Sequence, residues 1–206
     1  SVMTDSLQWL DEDIKDIRDR KLFRLLTEIR SAQSPEIDID GRSYILLSSN
    51  SYLGLTTHPE VLKAARDAVD SYGTGSGGSR LVSGSSDLHR QLEERIARFK
   101  NTEAAILFSS GYLANIGTIS ALMGKNDIIY SDELNHASII DGCRLSGART
   151  RVFRHTDMDH LVSLLESDKG ESVKKLIVTD TVFSMDGDLA PLTELTEISG
   201  NYGWML

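Results

Sequence analysis

Two patterns of apolar spacing divide the chain. Leu7, Leu10, Ile14, Ile17, Leu22, Leu25 and Ile29 recur three to five residues apart among charged neighbours, which predicts an amphipathic helix over residues 5–31. Ser34-Pro35 ends it, because the residue before a proline avoids the helical region. Residues 37–47 predict a small hairpin turning at Asp40-Gly41. Pro59 suits the first position of a helix over 59–72. A glycine-rich loop at 73–84 precedes a helix over 87–100. From there strands at 104–108, 127–130, 150–153 and 175–180 alternate with helices at 112–123, 136–145, 157–167 and 191–199. Such βα alternation predicts an α/β domain with a mainly parallel sheet and helices on both faces. Ligands of these sheets sit at the carboxyl ends of the strands, so residues just after strands are the candidates for chemistry. Residues 200–206 read as a helix stop and a new apolar strand from 204, so the chain is expected to stop within a domain.

Composition narrows the classes. With 206 residues, 40% hydrophobic and 26% charged, the chain reads as an ordinary soluble globular protein of one domain or slightly more. A formal charge of −9, from 22 basic and 31 acidic residues, argues against non-specific nucleic-acid binding and against an anionic membrane surface. Residues 1–5 open polar, so no signal peptide is expected, and no apolar run is long enough to span a bilayer. One cysteine, Cys143, points to a reducing, cytoplasmic compartment. With only Arg144 beside it to activate a thiolate, Cys143 reads as a buried inert thiol.

Three segments after strands hold candidate chemistry. Ser109-Ser110-Gly111-Tyr112 joins a strand to a helix start, where free N–H groups and the helix dipole favour an anion. Gly111 would let a phosphate approach the backbone, and Ser109 and Ser110 add hydroxyls; a plain βα turn is the alternative. Residues 131–138 place His136 at a helix start, where a neutral ring could stack on a ligand or simply be polar surface. Residues 179–188 place Asp180 and Ser184 at the same edge, or form a solvated acidic turn; their spacing does not fit a calcium loop. Residues 73–80 are glycine-rich but follow a helix, so a dinucleotide fingerprint is the wrong reading, and a loop crossing to a partner or substrate suits them better. Five histidines and one cysteine show no metal-ligand spacing.

The ordered motifs resemble the α-oxoamine synthases, a pyridoxal-phosphate family of the aspartate-aminotransferase fold type. The matching text is Ser48-Ser49-Asn50-Ser51-Tyr52-Leu53-Gly54-Leu55, Gly75-Ser76-Gly77-Gly78-Ser79-Arg80, Leu88-His89, Phe108-Ser109-Ser110-Gly111-Tyr112-Leu113-Ala114-Asn115, Leu134-Asn135-His136-Ala137-Ser138 and Val182-Phe183-Ser184-Met185-Asp186-Gly187-Asp188. The resemblance implies that Ser110, Gly111 and Tyr112 hold the phosphate of pyridoxal 5'-phosphate and that His136 stacks on its ring. It implies that Ser184 meets the ring hydroxyl with Asp180 in support. Asn50 is similar to a substrate contact at the pocket mouth, and Arg24 to the N-terminal arginine that helps bind the acid substrate. It implies an N-terminal helix and hairpin over 1–47 and a cofactor-binding large domain over 48–206. The implied reaction condenses an amino acid with an acyl-CoA or acyl-carrier thioester, with loss of carbon dioxide, in a homodimer.

Ser79 suits the alanine-using branch with a pimeloyl thioester, whereas residues 131–145 are shared with a glycine-using acetyltransferase branch. The family's Asp-x-x-His and Schiff-base lysine are expected beyond Leu206, so the 206 residues are not expected to catalyse alone. A lysine-less partner subunit, or an unrelated phosphate-binding module of doubly wound fold, are the readings outside catalysis.

Overall fold

A computed structural model of the chain describes residues 7–206. The polar opening at 1–5 and the first two positions of the predicted long helix lie outside the described residues. The chain forms two compact units that divide between Gly84 and Ser85.

In the first unit, helix α1 (Gln8–Asp19) is shorter than the sequence predicts. It stops at Lys21, which adopts a left-handed φ of 57°. The Lys21 N–H then donates to Arg18 O and the Leu22 N–H to Ile17 O, both at 2.9 Å, which satisfies the last carbonyls of the helix. Residues 22–30 have no regular structure, so Arg24 is not a helix residue. Strands β1 (Glu36–Ile39) and β2 (Arg42–Ile45) form the expected antiparallel hairpin. Asp40 and Gly41 both have positive φ, 52° and 77°, as a two-residue turn matched to strand twist requires. After one 3-10 turn at Leu55–Thr57, helix α2 (Pro59–Tyr72) starts where Pro59 predicts, and His58 Nδ1 accepts the Glu60 N–H. The loop at 73–84 folds back on itself, with Ser79 O accepting the Val82, Ser83 and Gly84 N–H groups. A Cβ on Gly84 would lie 1.9 Å from Gly78 O, so only glycine permits this fold-back.

The second unit begins with α3 (Asp87–Lys100), capped by Ser86 and His89 and ended by Asn101 in the left-handed region. The strand predicted at 104–108 does not form: the segment has no regular structure and joins no ladder among the described residues. Its Leu107 N–H donates to Glu93 Oε1 of α3 instead, and Phe108 packs against Gly117. A strand exists only through its neighbour, and residue pattern alone does not supply one.

Helix α4 (Gly111–Leu122) follows, then β3 (Ile128–Asp132), α5 (Ala137–Ser146), β4 (Arg149–Phe153), α6 (Met158–Ser167), β5 (Lys175–Val178) and α7 (Leu192–Tyr202). The sheet is parallel with order β4-β3-β5; Ile128 pairs with Arg149 on one side and Lys175 on the other. The strand expected from 204 amounts to one parallel bridge, Met205 with Leu176.

Alternation along β3 sorts side chains to the two faces. Ile128 and Tyr130 join Phe153, Ile177, Leu161, Leu165 and Leu195 under α6 and α7. Ile129 joins Ile119, Met123, Ile139, Cys143 and Leu176 under α4 and α5. Both faces are thus covered by helices, as expected, and each fully buried aliphatic or aromatic side chain contributes about 1.5–3 kcal/mol. Cys143 is buried as its sequence setting suggests, and burial pushes its thiol up to about 11. No helix among the described residues is long and apolar enough to cross a membrane.

Candidate functional site

The carboxyl end of the sheet gathers three chain turns. The first is the start of α4. Ser110 is its N-cap, and Ser110 Oγ accepts the Leu113 N–H at 3.1 Å. The N–H groups of Gly111 and Tyr112 find no acceptor among the described residues. A Cβ on Gly111 would meet nothing within 4 Å. Two outward N–H groups at the positive end of a helix, with open space in front, make a place for an anion.

The second turn follows β3. His136 is the N-cap of α5, and its Nδ1 accepts the Ser138 N–H at 3.1 Å. Ser138 Oγ lies 2.7 Å from the same Nδ1 and itself accepts Asn115 Nδ2 of α4 at 2.9 Å. With Nδ1 committed as an acceptor, the neutral ring carries its hydrogen on Nε2. The ring is exposed and stands edge-on to Tyr112, 6.2 Å between centroids. The Tyr112 hydroxyl donates to Asp141, whose carboxylate raises the phenol's pKa.

The third turn follows β5. Asp180 Oδ2 accepts the His136 backbone N–H at 2.7 Å, and the Asp180 N–H donates to Asn135 Oδ1 at 2.8 Å. Buried Asn135 closes the circuit, giving its amide to Ser131 Oγ and Val178 O, each at 2.9 Å. Ser110, Gly111, Tyr112, His136 and Asp180 therefore meet at one sheet edge. Ser184 follows on the loop after β5, exposed, next to buried Phe183.

Arg24, Asn50 and Ser79 belong to the first unit. All three are exposed; Asn50 Oδ1 accepts the Tyr52 hydroxyl, and Ser79 lies in the folded-back loop.

A second group escaped the sequence reading. His155, two residues beyond β4, sets Nδ1 2.9 Å from Asp132 Oδ1 and Nε2 2.7 Å from Asp188 Oδ2. Its position just past a strand end was the available signal. Asn135, Ser131, Ser138 and Asn115 were likewise missed as parts of the network, because each acts through another residue rather than at a surface.

The aminotransferase class I and II family profile matches residues 42–206, four-fifths of the chain. The chain belongs to this family. It is 52% identical over 194 residues to 8-amino-7-oxononanoate synthase of Geobacter sulfurreducens, covering 94% of this chain and 49% of that protein. The same enzyme of Geotalea daltonii is 50% identical over 200 residues, covering 97% and 51%. Among solved structures, a serine palmitoyltransferase from S. paucimobilis with bound PLP–myriocin aldimine superposes with a TM-score of 0.87 at 34% identity, covering 98% of this chain and 51% of that one. The chain thus spans about half the length of the curated relatives it matches. The fold-class expectation stands, and the resemblance read from the motifs agrees with these relatives.

Proposed function

We propose that this chain is the cofactor-binding part of a pyridoxal-5'-phosphate-dependent acyltransferase, 8-amino-7-oxononanoate synthase of biotin biosynthesis. The reaction joins L-alanine to pimeloyl-CoA, or to its carrier-protein thioester, and releases carbon dioxide. One observation carries the reading: the unpartnered N–H groups of Gly111 and Tyr112 open beside the exposed His136 ring at the carboxyl end of the sheet. About half identity to relatives of that name, along nearly the whole chain, supports the same choice over the palmitoyltransferase branch.

The residues present fit a phosphorylated pyridine. The α4 start offers donors and a steric opening for the phosphate, and the His136 ring offers a flat partner. Pyridoxal phosphate, when bound, supplies an electron sink for the pair left at the amino acid α carbon. The protein's work is positional. Ser110, Gly111 and Tyr112 grip the phosphate through backbone N–H groups. His136 covers the ring, and its Nε2–H is free to orient the amino acid carboxylate, so that the breaking bond stands across the ring plane. Asp180 fixes the His136 backbone, and Ser184 donates to the ring hydroxyl. Arg24 takes the acid substrate, Asn50 lines the pocket mouth, and Ser79 leaves room for alanine. Residues 1–47 then form the N-terminal helix and hairpin, and 48–206 this chain's share of the large domain. The 73–80 loop reaches toward the partner's cofactor in a cytoplasmic homodimer.

The test is Gly111→Val in the full-length protein. A Cβ added at Gly111 meets nothing within 4 Å in the chain itself. Folding should therefore survive while affinity for pyridoxal phosphate falls about tenfold or more, as a phosphate is pushed off the N–H groups. Unchanged cofactor affinity would put the phosphate elsewhere. Turnover of alanine with pimeloyl-CoA, set against glycine with acetyl-CoA, decides the substrate branch. No turnover, with co-purification of a second homologous chain, would favour the lysine-less partner.

A further inference from the structure

The Thr181–Ala190 segment carries Ser184 and is held at two points. The first is Phe183, buried in the core under α6 and α7; within the segment, Val182 bridges antiparallel to Leu189. Inside it, the Phe183 N–H donates to Asp188 O at 3.0 Å, the Gly187 N–H to Phe183 O at 2.8 Å, and the Ala190 N–H to Thr181 O at 3.0 Å. The second holding point is Asp188, whose Oδ2 meets His155 Nε2. The opposite ring nitrogen meets Asp132 Oδ1, and Asp132 is 2% exposed at the end of β3.

Both nitrogens of His155 therefore face carboxylate oxygens. A neutral imidazole carries one N–H and would leave the other carboxylate facing a lone pair, whereas imidazolium donates to both. The backbone around His155 is built to keep this aim. The His155 N–H donates to Glu133 Oε1 at 2.8 Å. The Thr156 N–H donates to Asp132 Oδ2 at 3.0 Å, while Thr156 sits at a φ of 53°, an unfavourable angle for a β-branched residue. The Phe183 ring stands edge-on to the imidazole, 4.4 Å between centroids. Around the imidazole the charged groups are Asp132 and Glu133 from β3 and its end, and Asp188 from the loop. Its own segment adds Arg154, which is already paired with Asp157 at 2.6 Å. Acid groups outnumber free cations here, and the hydrogen bond to Asp132, then that to Asp188, raises the His155 pKa.

We propose that His155 is a positioning residue: as a cation bridging Asp132 and Asp188, it clamps the Ser184-bearing loop onto the carboxyl end of β3 and so sets the cofactor pocket. The effect on the cofactor rests on the function proposed above; the clamp itself does not. The clamp is closed below the ordinary imidazole pKa of about 6.5 and opens as pH rises through the raised value in the folded protein.

Amide hydrogen exchange in the full-length protein, without and with pyridoxal phosphate, tests both. Protection of the Phe183, Gly187 and Ala190 N–H groups, corrected for intrinsic rate, should fall about tenfold from pH 6 to pH 9, while Tyr130 in β3 keeps its protection. His155→Gln should be weakly protected at both pH values. His155→Arg, a permanent cation, should lose the pH dependence and keep the protection. A wild-type profile that is flat with pH, or a His155→Gln profile that follows the wild type, overturns the clamp. The wild-type series decides the matter even where a variant does not fold. Cofactor affinity should fall in step with protection. Loss of protection at unchanged affinity would leave the clamp standing and overturn the Ser184 contact in the proposed function.

Discussion

Two buried aspartates sit at opposite ends of one parallel sheet and are held in different ways. Asp168, which closes α6 near the amino ends of the strands, is 2% exposed. It accepts the Arg151 guanidinium through both oxygens, at 2.6 and 3.0 Å, and the Tyr130 hydroxyl at 3.1 Å. Arg149 adds a second cation at 3.5 Å. Asp132, at the carboxyl end, is equally buried but accepts the Leu134 and Thr156 N–H groups and a histidine. The amino end is thus tied by side chains with permanent charge, which hold strands to a helix end. The carboxyl end is tied through loop amides and one titratable ring. There Asp188 Oδ1 is buried without a hydrogen-bond partner among the described residues. One sheet end is organised for stability, and the other holds loops in place at some cost in stability.

The largest test of that difference is Asp168→Ala. It leaves the buried Tyr130 hydroxyl without its acceptor and strips Arg151 of its bidentate partner. Arg151 is partly exposed and can turn to water, so the loss is about 3 kcal/mol, below the upper range for a broken buried pair. Denaturant unfolding of the full-length protein measures it, with cofactor affinity of the folded fraction unchanged. A loss under about 1 kcal/mol would mean that the cluster is not a structural tie.

His136 should behave in the opposite way. His136→Asn keeps a side-chain cap on α5, and His136→Ala loses about 1 kcal/mol with the cap. Both remove the ring and should cut turnover about tenfold or more, with little change in stability for Asn. His136→Phe should keep stacking and much of the cofactor affinity yet lose the polar contact with substrate. Wild-type turnover in His136→Ala would reduce this histidine to a cap.

The two ends should also answer pH with opposite signs. Arg151, followed by Tyr130, lowers the Asp168 pKa. Its contribution is therefore present above the ordinary value of about 3.9 and lost as pH falls through the lowered one. His155 is raised, so its contribution is present below about 6.5 and lost as pH rises. The stability gap between wild type and Asp168→Asn should hold from pH 5 to 9 and close in acid. The gap to His155→Gln should be widest near pH 5.5 and close toward pH 9. Two gaps of the same shape would erase the distinction.

Much of the carboxyl end was legible because its parts are local. His136 announces itself by standing at a strand-to-helix junction, Ser110 and Gly111 by being small residues at the start of an apolar helix, and Pro59 and Asp40-Gly41 fix their elements within the residues that form them. What stayed hidden depends on distance. Asp132 and His155 meet because β3 and β4 pair in a register that sets Asp132 beside Phe153. Asp188 reaches them only through the loop after β5. The end of α1 was hidden for a different reason: a lysine occupies the left-handed position where glycine would have marked the stop. The 104–108 segment has the pattern of a strand, and pattern does not say whether a neighbour lies alongside.

The smallest expected effect separates the two arginines at the amino end. Arg149 is half-exposed and is shared between Asp168 and Glu171, while Arg151 makes the bidentate contact. An exposed ion pair gains little, because water and salt screen it and the long side chain must be ordered. Arg149→Gln should therefore leave the denaturation midpoint within error at physiological salt and leave cofactor affinity untouched. Arg151→Gln should lower the midpoint clearly, since Asp168 would keep its burial and lose its main partner. Equal midpoint shifts for the two variants would show that net charge near Asp168, rather than the paired geometry of one guanidinium, holds that end of the sheet.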